Sequence, residues 1–283
     1  MTSLLRCPIC QKPLVRLDTA YRCETGHSFD RAAAGYVHLL PANRMHSKNP
    51  GDDKSMSAAR NRFLSVGHYE LLCRELTTLS LHYVPDKPAL LDSGCGEGYY
   101  TAAIFQALRD AGRAPTMAGI DLSKHALRRA AKRESGIEFA VASAYDLPLA
   151  DSTADLLLNC FSPLALDEFR RVLKPGGFFF YVVPGPKHLW EMKQILYDTP
   201  YQNPETLTPY EGFVYREVRS VENTIDLNGR QEIEDLFGMT PYFWKTPRVG
   251  KEKLSHLDSL AVTVSFRIHV FQKIALLQPQ PRT

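Results

Sequence analysis

An α/β fold, with a mostly parallel, doubly wound sheet behind a small metal-bound N-terminal domain, follows from three observations. Between residues 89 and 183, short apolar runs alternate with amphipathic segments at the spacing of successive βαβ units. One of these runs, Leu90-Leu91-Asp92, passes into Ser93-Gly94-Cys95-Gly96-Glu97-Gly98, a turn with glycine at every second position. Such a turn lets a buried parallel strand hand over sharply to a helix. Ahead of both stands Cys7-Pro8-Ile9-Cys10, then twelve residues, then Cys23-Glu24-Thr25-Gly26-His27.

The C-x2-C-x12-C-x3-H spacing presents four soft or borderline ligands from two tight turns, which suits tetrahedral zinc with no open position. A segment this short has too little core to fold alone, so the metal supplies its folding energy. Cys7, Cys10, Cys23 and His27 are therefore the expected ligands. His38 and His46 fall outside the spacing and read as surface histidines.

The next stretch, Asn43 to Lys54, is polar, basic in its first half and broken by Pro50-Gly51, so it reads as a linker. Helical patterns follow from about Ser55 and from about His68 to Leu81. Arg44, Lys48, Lys54, Arg60 and Arg62 form an expected basic face beside the zinc module, although a charge run is as often a solvated surface.

After Pro85 and Pro88 the pattern predicts strands at 89–93, 116–120, 137–141, 154–159 and 177–183, with helices at 99–111, 123–133 and 164–173. Leu173-Lys174-Pro175-Gly176-Gly177 is a helix stop before the very apolar Phe178 to Val183. Alternating runs at about 213–226 and 261–271, with a helix near 229–237 between, predict an antiparallel completion of the sheet. The tail beyond residue 275, with Pro279 and Pro281, reads as disordered.

Composition bounds the function classes. The 283 residues carry a net charge of only +3, so nucleic-acid binding requires a local patch and does not follow from the total. No apolar run approaches the roughly 18 residues of a membrane span, and no leader opens the chain, so a cytoplasmic location is expected. Six cysteines do not make a disulfide framework, and Cys73, Cys95 and Cys160 read as small buried hydrophobes.

The glycine turn could serve two cofactors. A dinucleotide site spaces its glycines G-x-G-x-x-G and places pyrophosphate at a helix N-terminus. Here the spacing is G-x-G-x-G, and Asp92 stands two residues before the first glycine. A carboxylate there repels pyrophosphate and suits a ligand with an ammonium and a sulfonium, which is S-adenosylmethionine. The block resembles the first motif of class I methyltransferases, whose fold is Rossmann-like. Two further strand-end acids match that architecture. Asp121, closing Thr116 to Ile120, would accept from both ribose hydroxyls. Asp146, within Ser143-Ala144-Tyr145-Asp146-Leu147-Pro148, would accept from the adenine amino group, beside Leu147.

The fourth strand runs into Asn159-Cys160-Phe161-Ser162-Pro163, where methyltransferases of this architecture select their acceptor. Asn159 and Phe161 are candidates there, and His188, in Pro184-Gly185-Pro186-Lys187-His188-Leu189, could close over the cofactor carboxylate. Asp167, Glu168 and His188 are candidates for a general base, and Phe161 and Trp244 for base stacking.

Taken together, the knuckle, Gly35-Tyr36-Val37, Pro50-Gly51-Asp52, Arg62-Phe63-Leu64, Gly67-His68-Tyr69, the 92–100 block and 184–189 resemble the bacterial 23S rRNA guanine-N1 methyltransferases over nearly the whole chain. The 184–189 stretch is similar to the Gram-negative branch. The resemblance implies that the knuckle binds zinc and helps hold RNA, with cofactor contacts at Tyr69, Gly96, Glu97 and His188 in addition to Asp92, Gly94 and Gly98. It implies methyl transfer to N1 of a guanine in a hairpin loop of domain II. The branches divide between two neighbouring guanines. The implied division is a zinc knuckle at 1–40, a basic linker and helix at 41–66, a methyltransferase domain at 67–275 and a tail at 276–283. A homodimer could cradle the hairpin, with 23S rRNA as the partner and no membrane. Two rivals remain, a small-molecule methyltransferase and an RNA-binding protein without catalysis.

Overall fold

The computed structural model describes residues 2–41, 43 and 51–274. Arg44, His46 and Lys48 of the linker, and the tail from residue 275, lie outside the described residues. The first four strands, β1 (Thr2–Arg6), β2 (Pro13–Arg16), β3 (Ala20–Cys23) and β4 (Ser28–Asp30), form an antiparallel sheet in that order. They are followed by β5 (Val37–His38), α1 (Lys54–Val66) and α2 (Glu70–Tyr83). Asp53 caps α1 by accepting from the Ser55 and Met56 amides at 2.7 and 2.9 Å, and Gly67, left-handed at φ 97°, ends it.

The alternating core comprises β6 (Ala89–Ser93), α3 (Tyr99–Asp110), β7 (Thr116–Asp121), α4 (Lys124–Arg133), β8 (Glu138–Val141), β9 (Ala154–Cys160), α5 (Leu166–Val172) and β10 (Leu173–Pro184). Beyond it come α6 (Trp190–Leu196), β11 (Phe213–Asn228), α7 (Arg230–Gly238), α8 (Tyr242–Lys245), α9 (Arg248–Ser255) and β12 (Ser259–Lys273). The large sheet has the order β11-β12-β10-β9-β6-β7-β8-β5. Its six strands from β10 to β5 are parallel, β12 adds antiparallel to β10, and β11 adds antiparallel to β12 at the edge. Strand order reverses between β6 and β9, the switch point where open α/β sheets bind ligands beyond the carboxyl ends.

Period-two alternation sorts side chains onto two faces. Leu90, Leu156, Leu158, Phe180 and Val182 belong to one core, under the helices α2 and α3. Leu91, Ile120, Leu157 and Phe179 belong to the other, and that core also contains Leu5, Cys7, Leu14 and Tyr21 of the N-terminal sheet. Hydrogen bonds tie the small sheet to the large unit: the Arg6 amide donates to Pro148 O at 2.8 Å, the Leu4 amide to the Glu138 side-chain Oε2 at 2.8 Å, and Leu5 bridges Leu149.

The strands and helices expected after Pro88 are present. Not foreseen were the four short strands of the ribbon, β5, too short to show a pattern, and α8 and α9, short segments set off by Pro241 and Pro247. The expected basic face needs correction, because Arg60 pairs with Asp52 and Glu97, and Arg62 grips Asp235 at 2.6 and 2.9 Å. His38 is half-buried at the sheet edge and not a surface residue. No helix among the described residues is long and apolar enough to cross a membrane.

Candidate zinc centre and methyl-transfer cavity

Cys7 and Cys10 flank one turn and Cys23 and His27 another, and their ligand atoms all lie within 4.8 Å of one another. Cys10 Sγ stands 3.7 Å from Cys23 Sγ, and His27 Nδ1 stands 3.5 and 3.4 Å from the Cys7 and Cys23 sulfurs. Zinc–sulfur bonds of about 2.3 Å imply tetrahedron edges of about 3.8 Å, so three thiolates and an imidazole at these separations fit zinc with every position filled by protein. The second turn depends on Gly26, at φ 90°, whose amide donates to Cys23 O at 3.0 Å.

A cavity of about 770 Å³ opens at the carboxyl ends of β6, β7, β9 and β10. Gly94, Gly96, Asp92, Glu97 and Asp121 line one part, Met56, Arg60, Leu64 and Tyr69 come from α1 and the start of α2, and Met239 to Tyr242 close another side. A Cβ on Gly96 would meet nothing within 4 Å, so the turn holds its backbone open toward a ligand. Gly98 is needed for a different reason: at φ 72°, its Cβ would sit 2.9 Å from Ala130 Cβ, where α3 and α4 touch.

The carboxylates in this cavity are under-satisfied. Asp92 is 2 % exposed, and its Oδ2 accepts from Thr101 Oγ1 at 2.6 Å while Oδ1 has no partner among the described residues. Burial pushes its pKa up to about 7. Glu97, 1 % exposed, has neither oxygen hydrogen-bonded, and Arg60 stands 3.9 Å away; burial raises its pKa and Arg60 opposes the rise. Asp121 accepts from the Gly96 amide at 3.0 Å and the Ser123 amide at 2.7 Å, and burial raises its pKa against those bonds. Orphaned buried acids of this kind call for a ligand that donates hydrogen bonds and carries positive charge. The ammonium, sulfonium and ribose hydroxyls of S-adenosylmethionine meet both requirements.

His188 is buried against Phe266, with ring centroids 4.7 Å apart, and its Nδ1 accepts from the Ser265 amide at 3.2 Å. Burial lowers its pKa to about 3, with Lys193 contributing. The imidazole is thus neutral with its proton on Nε2, a donor to the cavity and not a base. Phe161, 47 % exposed, and Trp244, 66 % exposed, stand on the cavity wall, as does Tyr145, also exposed.

The expected residues divide accordingly. Tyr69, Asp92, Gly94, Gly96, Glu97, Asp121, Phe161, His188 and Trp244 share the cavity. Gly98 packs helices beside it, and Asp146 and Leu147 line a small neighbouring crevice shared with Ser143 and Ala142. Asn159 is fully buried, its amide donating to Ser93 O at 3.3 Å and Pro163 O at 3.1 Å, so it braces the two strand-end loops. Asp167 and Glu168 are corrected: they pair with Arg170 and Arg171 away from the cavity and cannot serve as bases there. Arg60 was expected on a basic face; its place opposite Glu97 had no signal, because nothing in its spacing ties it to a residue 37 positions on.

Comparisons with known proteins agree with this geometry. The family described as "RlmA, N-terminal", a zinc ribbon, matches residues 5–48, and the family described as "Methyltransferase domain" matches residues 91–181. A provisionally named 23S rRNA (guanine-N1)-methyltransferase of Micromonospora griseorubida is 34 % identical over 95 % of this chain and 97 % of its own. A similarly named Bacillus subtilis protein is 31 % identical over 96 % of this chain and 98 % of its own. The 23S rRNA (guanine(748)-N1)-methyltransferase of Streptomyces fradiae is 39 % identical over 68 % of this chain and 67 % of its own. Among solved structures, the YcgJ protein of Bacillus subtilis shares the fold, with a TM-score of 0.51 at 14 % identity, over 71 % of this chain and 99 % of that one. The chain belongs to the 23S rRNA (guanine-N1)-methyltransferase family, a zinc ribbon joined to a class I methyltransferase fold that uses S-adenosylmethionine.

Proposed function

We infer that this enzyme transfers a methyl group from S-adenosylmethionine to N1 of a guanine in 23S rRNA, within a hairpin loop of domain II. The observation that carries the reading is the cavity itself, whose wall combines under-satisfied buried acids with exposed aromatic side chains. The bound cofactor supplies an electrophilic methyl on its sulfonium. Asp92 Oδ1 would take the ammonium and Asp121 would accept from the ribose hydroxyls; Gly96 leaves room for the ligand against the turn, while Gly94 makes room for Ser162; His188 Nε2–H would donate to the carboxylate, with Tyr69 packed beside it. Glu97 with Arg60, and Asp146 with Leu147, bound the nucleoside end.

N1 lies on the Watson–Crick edge, so the base must leave its stack, which costs least for an unpaired loop guanine. Phe161 and Trp244 hold the extruded base by stacking. Neutral guanine carries a proton on N1, which must depart as the lone pair attacks. Asp52, Asp92, Glu97 and Asp121 are the acids on the wall; Asp52 pairs with Arg60, and the acceptor positions left open on the other three would go to the bound cofactor, so water through the open mouth takes the proton. Most of the rate then comes from alignment of N1 with the methyl.

Cys7, Cys10, Cys23 and His27 hold the zinc, and the ribbon of residues 1–40 positions RNA beside a methyltransferase unit spanning 67–275, with 41–66 linking them. The enzyme works in the cytoplasm, where rRNA is made, and a dimer would cradle the hairpin arms. The test is methyl transfer from labelled cofactor to 23S rRNA of a strain lacking the gene, with the position mapped by reverse-transcription stops. A single stop in the domain II loop is expected and identifies which neighbouring guanine is used. No incorporation, with cofactor binding intact, would favour a small-molecule acceptor.

A further inference from the structure

We propose that the outer face of α4 is an RNA-backbone track leading from the zinc ribbon to the methyl-transfer cavity; this rests on the rRNA reading above. The helix reads Lys-His-Ala-Leu-Arg-Arg-Ala-Ala-Lys-Arg, with five basic residues and no acid in ten positions. In a chain whose net charge is +3, that is a strong local concentration. Ala126, Leu127, Ala130 and Ala131 are buried against the sheet, which leaves Lys124, Arg128 and Lys132 exposed in one row, each about 6 Å from the next along the helix.

Helix stability does not account for this row. Lys124 stands in the first turn, where the positive end of the helix dipole repels it, and like charges four residues apart repel each other; of the three, only Lys132, in the last turn, is favoured by the dipole. None of the three row residues has an ion pair or side-chain hydrogen bond among the described residues. Some basic residues elsewhere on the surface are neutralised, as Arg248 is by Glu252 and Lys253 by Asp198, and those that are not stand singly and not in a row. Unneutralised cations held in a row at an energetic cost are what a polyanion backbone complements.

The placement of the helix gives the row a direction. Its N-cap, Ser123, follows Asp121 and Leu122 of the cavity wall, and Ser123 Oγ donates to Asp52 O at 2.7 Å. Near its other end, Arg16 of β2 donates to Ser135 O at 3.2 Å, and the ribbon turn at Gly35 rests on Ala131. The row therefore spans the gap between the two modules, and a strand held along it reaches the cavity mouth with its loop base free.

The test compares the zinc-loaded wild type with a Lys124→Ala, Arg128→Ala, Lys132→Ala variant and with a control, Lys87→Ala, Arg109→Ala, Arg216→Ala, which removes the same charge from exposed positions at the amino ends of the strands, away from the cavity. Alanine keeps α4 helical. Binding to a domain II hairpin fragment is measured against salt, alongside calorimetric binding of S-adenosylmethionine. The α4 variant should bind RNA at least tenfold more weakly, with the salt slope reduced by about 2 for three lost phosphate contacts. Its KM for rRNA should rise with kcat and cofactor affinity unchanged. An unchanged slope and KM would overturn the proposal, as would an equal loss in the control, which would assign the effect to net charge alone. A wild type that neither binds nor methylates the RNA would refute the underlying reading instead.

Discussion

At the scale of single residues, the chemistry is set by charge held without water. Asp92 carries a carboxyl pKa raised from 3.8 to about 7 because it is buried beside a single hydroxyl donor. Between those values the unfolded chain releases this proton before the folded chain does, so the ligand-free protein loses stability as pH rises from about 4 to about 7. Asp92→Asn should therefore flatten the decline in melting temperature between pH 5 and pH 8, while weakening cofactor binding by an order of magnitude or more. A parallel decline in both proteins would count against Asp92 as the source. Asp121→Ala removes both acceptors offered to the ribose, and calorimetry should show affinity falling at least tenfold. For Gly98→Ala the effect belongs to packing: a methyl 2.9 Å from Ala130 should lower stability by about 1–3 kcal/mol in denaturant melts.

At the scale of elements, the zinc ribbon and the strand-end turns do the positioning. The ribbon's two turns bring four ligand atoms within 4.8 Å, and one zinc per chain is expected by metal analysis. Cys7→Ser with Cys23→Ser should abolish that zinc and unfold the ribbon strands, seen as lost amide protection over residues 5–30. A metal-free, fully protected wild type would contradict this. The motifs on β6, β7 and β9 were legible because each is an apolar run ending in a polar turn. The element α8, which supplies Tyr242 and Trp244 to the cavity, carries no comparable period, so its contribution to the wall was visible only as a tryptophan that could stack on a base.

At the scale of the whole molecule, the two modules share one hydrophobic core. Leu5, Leu14 and Tyr21 of the ribbon pack with Leu91, Ile120 and Leu157 under the sheet, and β5 extends that sheet past β8. Deleting residues 1–40 would expose this face, so the remaining chain should melt at lower temperature and aggregate, even in zinc-free buffer. A truncated chain as stable as the whole would mean the contact contributes nothing.

What the sequence determined by itself was everything encoded locally: the alternation that makes a parallel sheet, the glycine turn after Leu91, the acids at strand ends, and the ligand spacing of the ribbon. Hydrophobic period, turn chemistry and metal spacing act over a few residues and can be read without neighbours. Tertiary structure alone decided which distant groups face one another. It placed Arg60 against Glu97, removed Asp167 and Glu168 from the cavity, used His188 Nδ1 on the Ser265 amide, and made Asn159 a brace instead of a wall residue. Those outcomes depend on burial and on partners tens of residues away, and neither quantity has a signature in the order of residues along the chain.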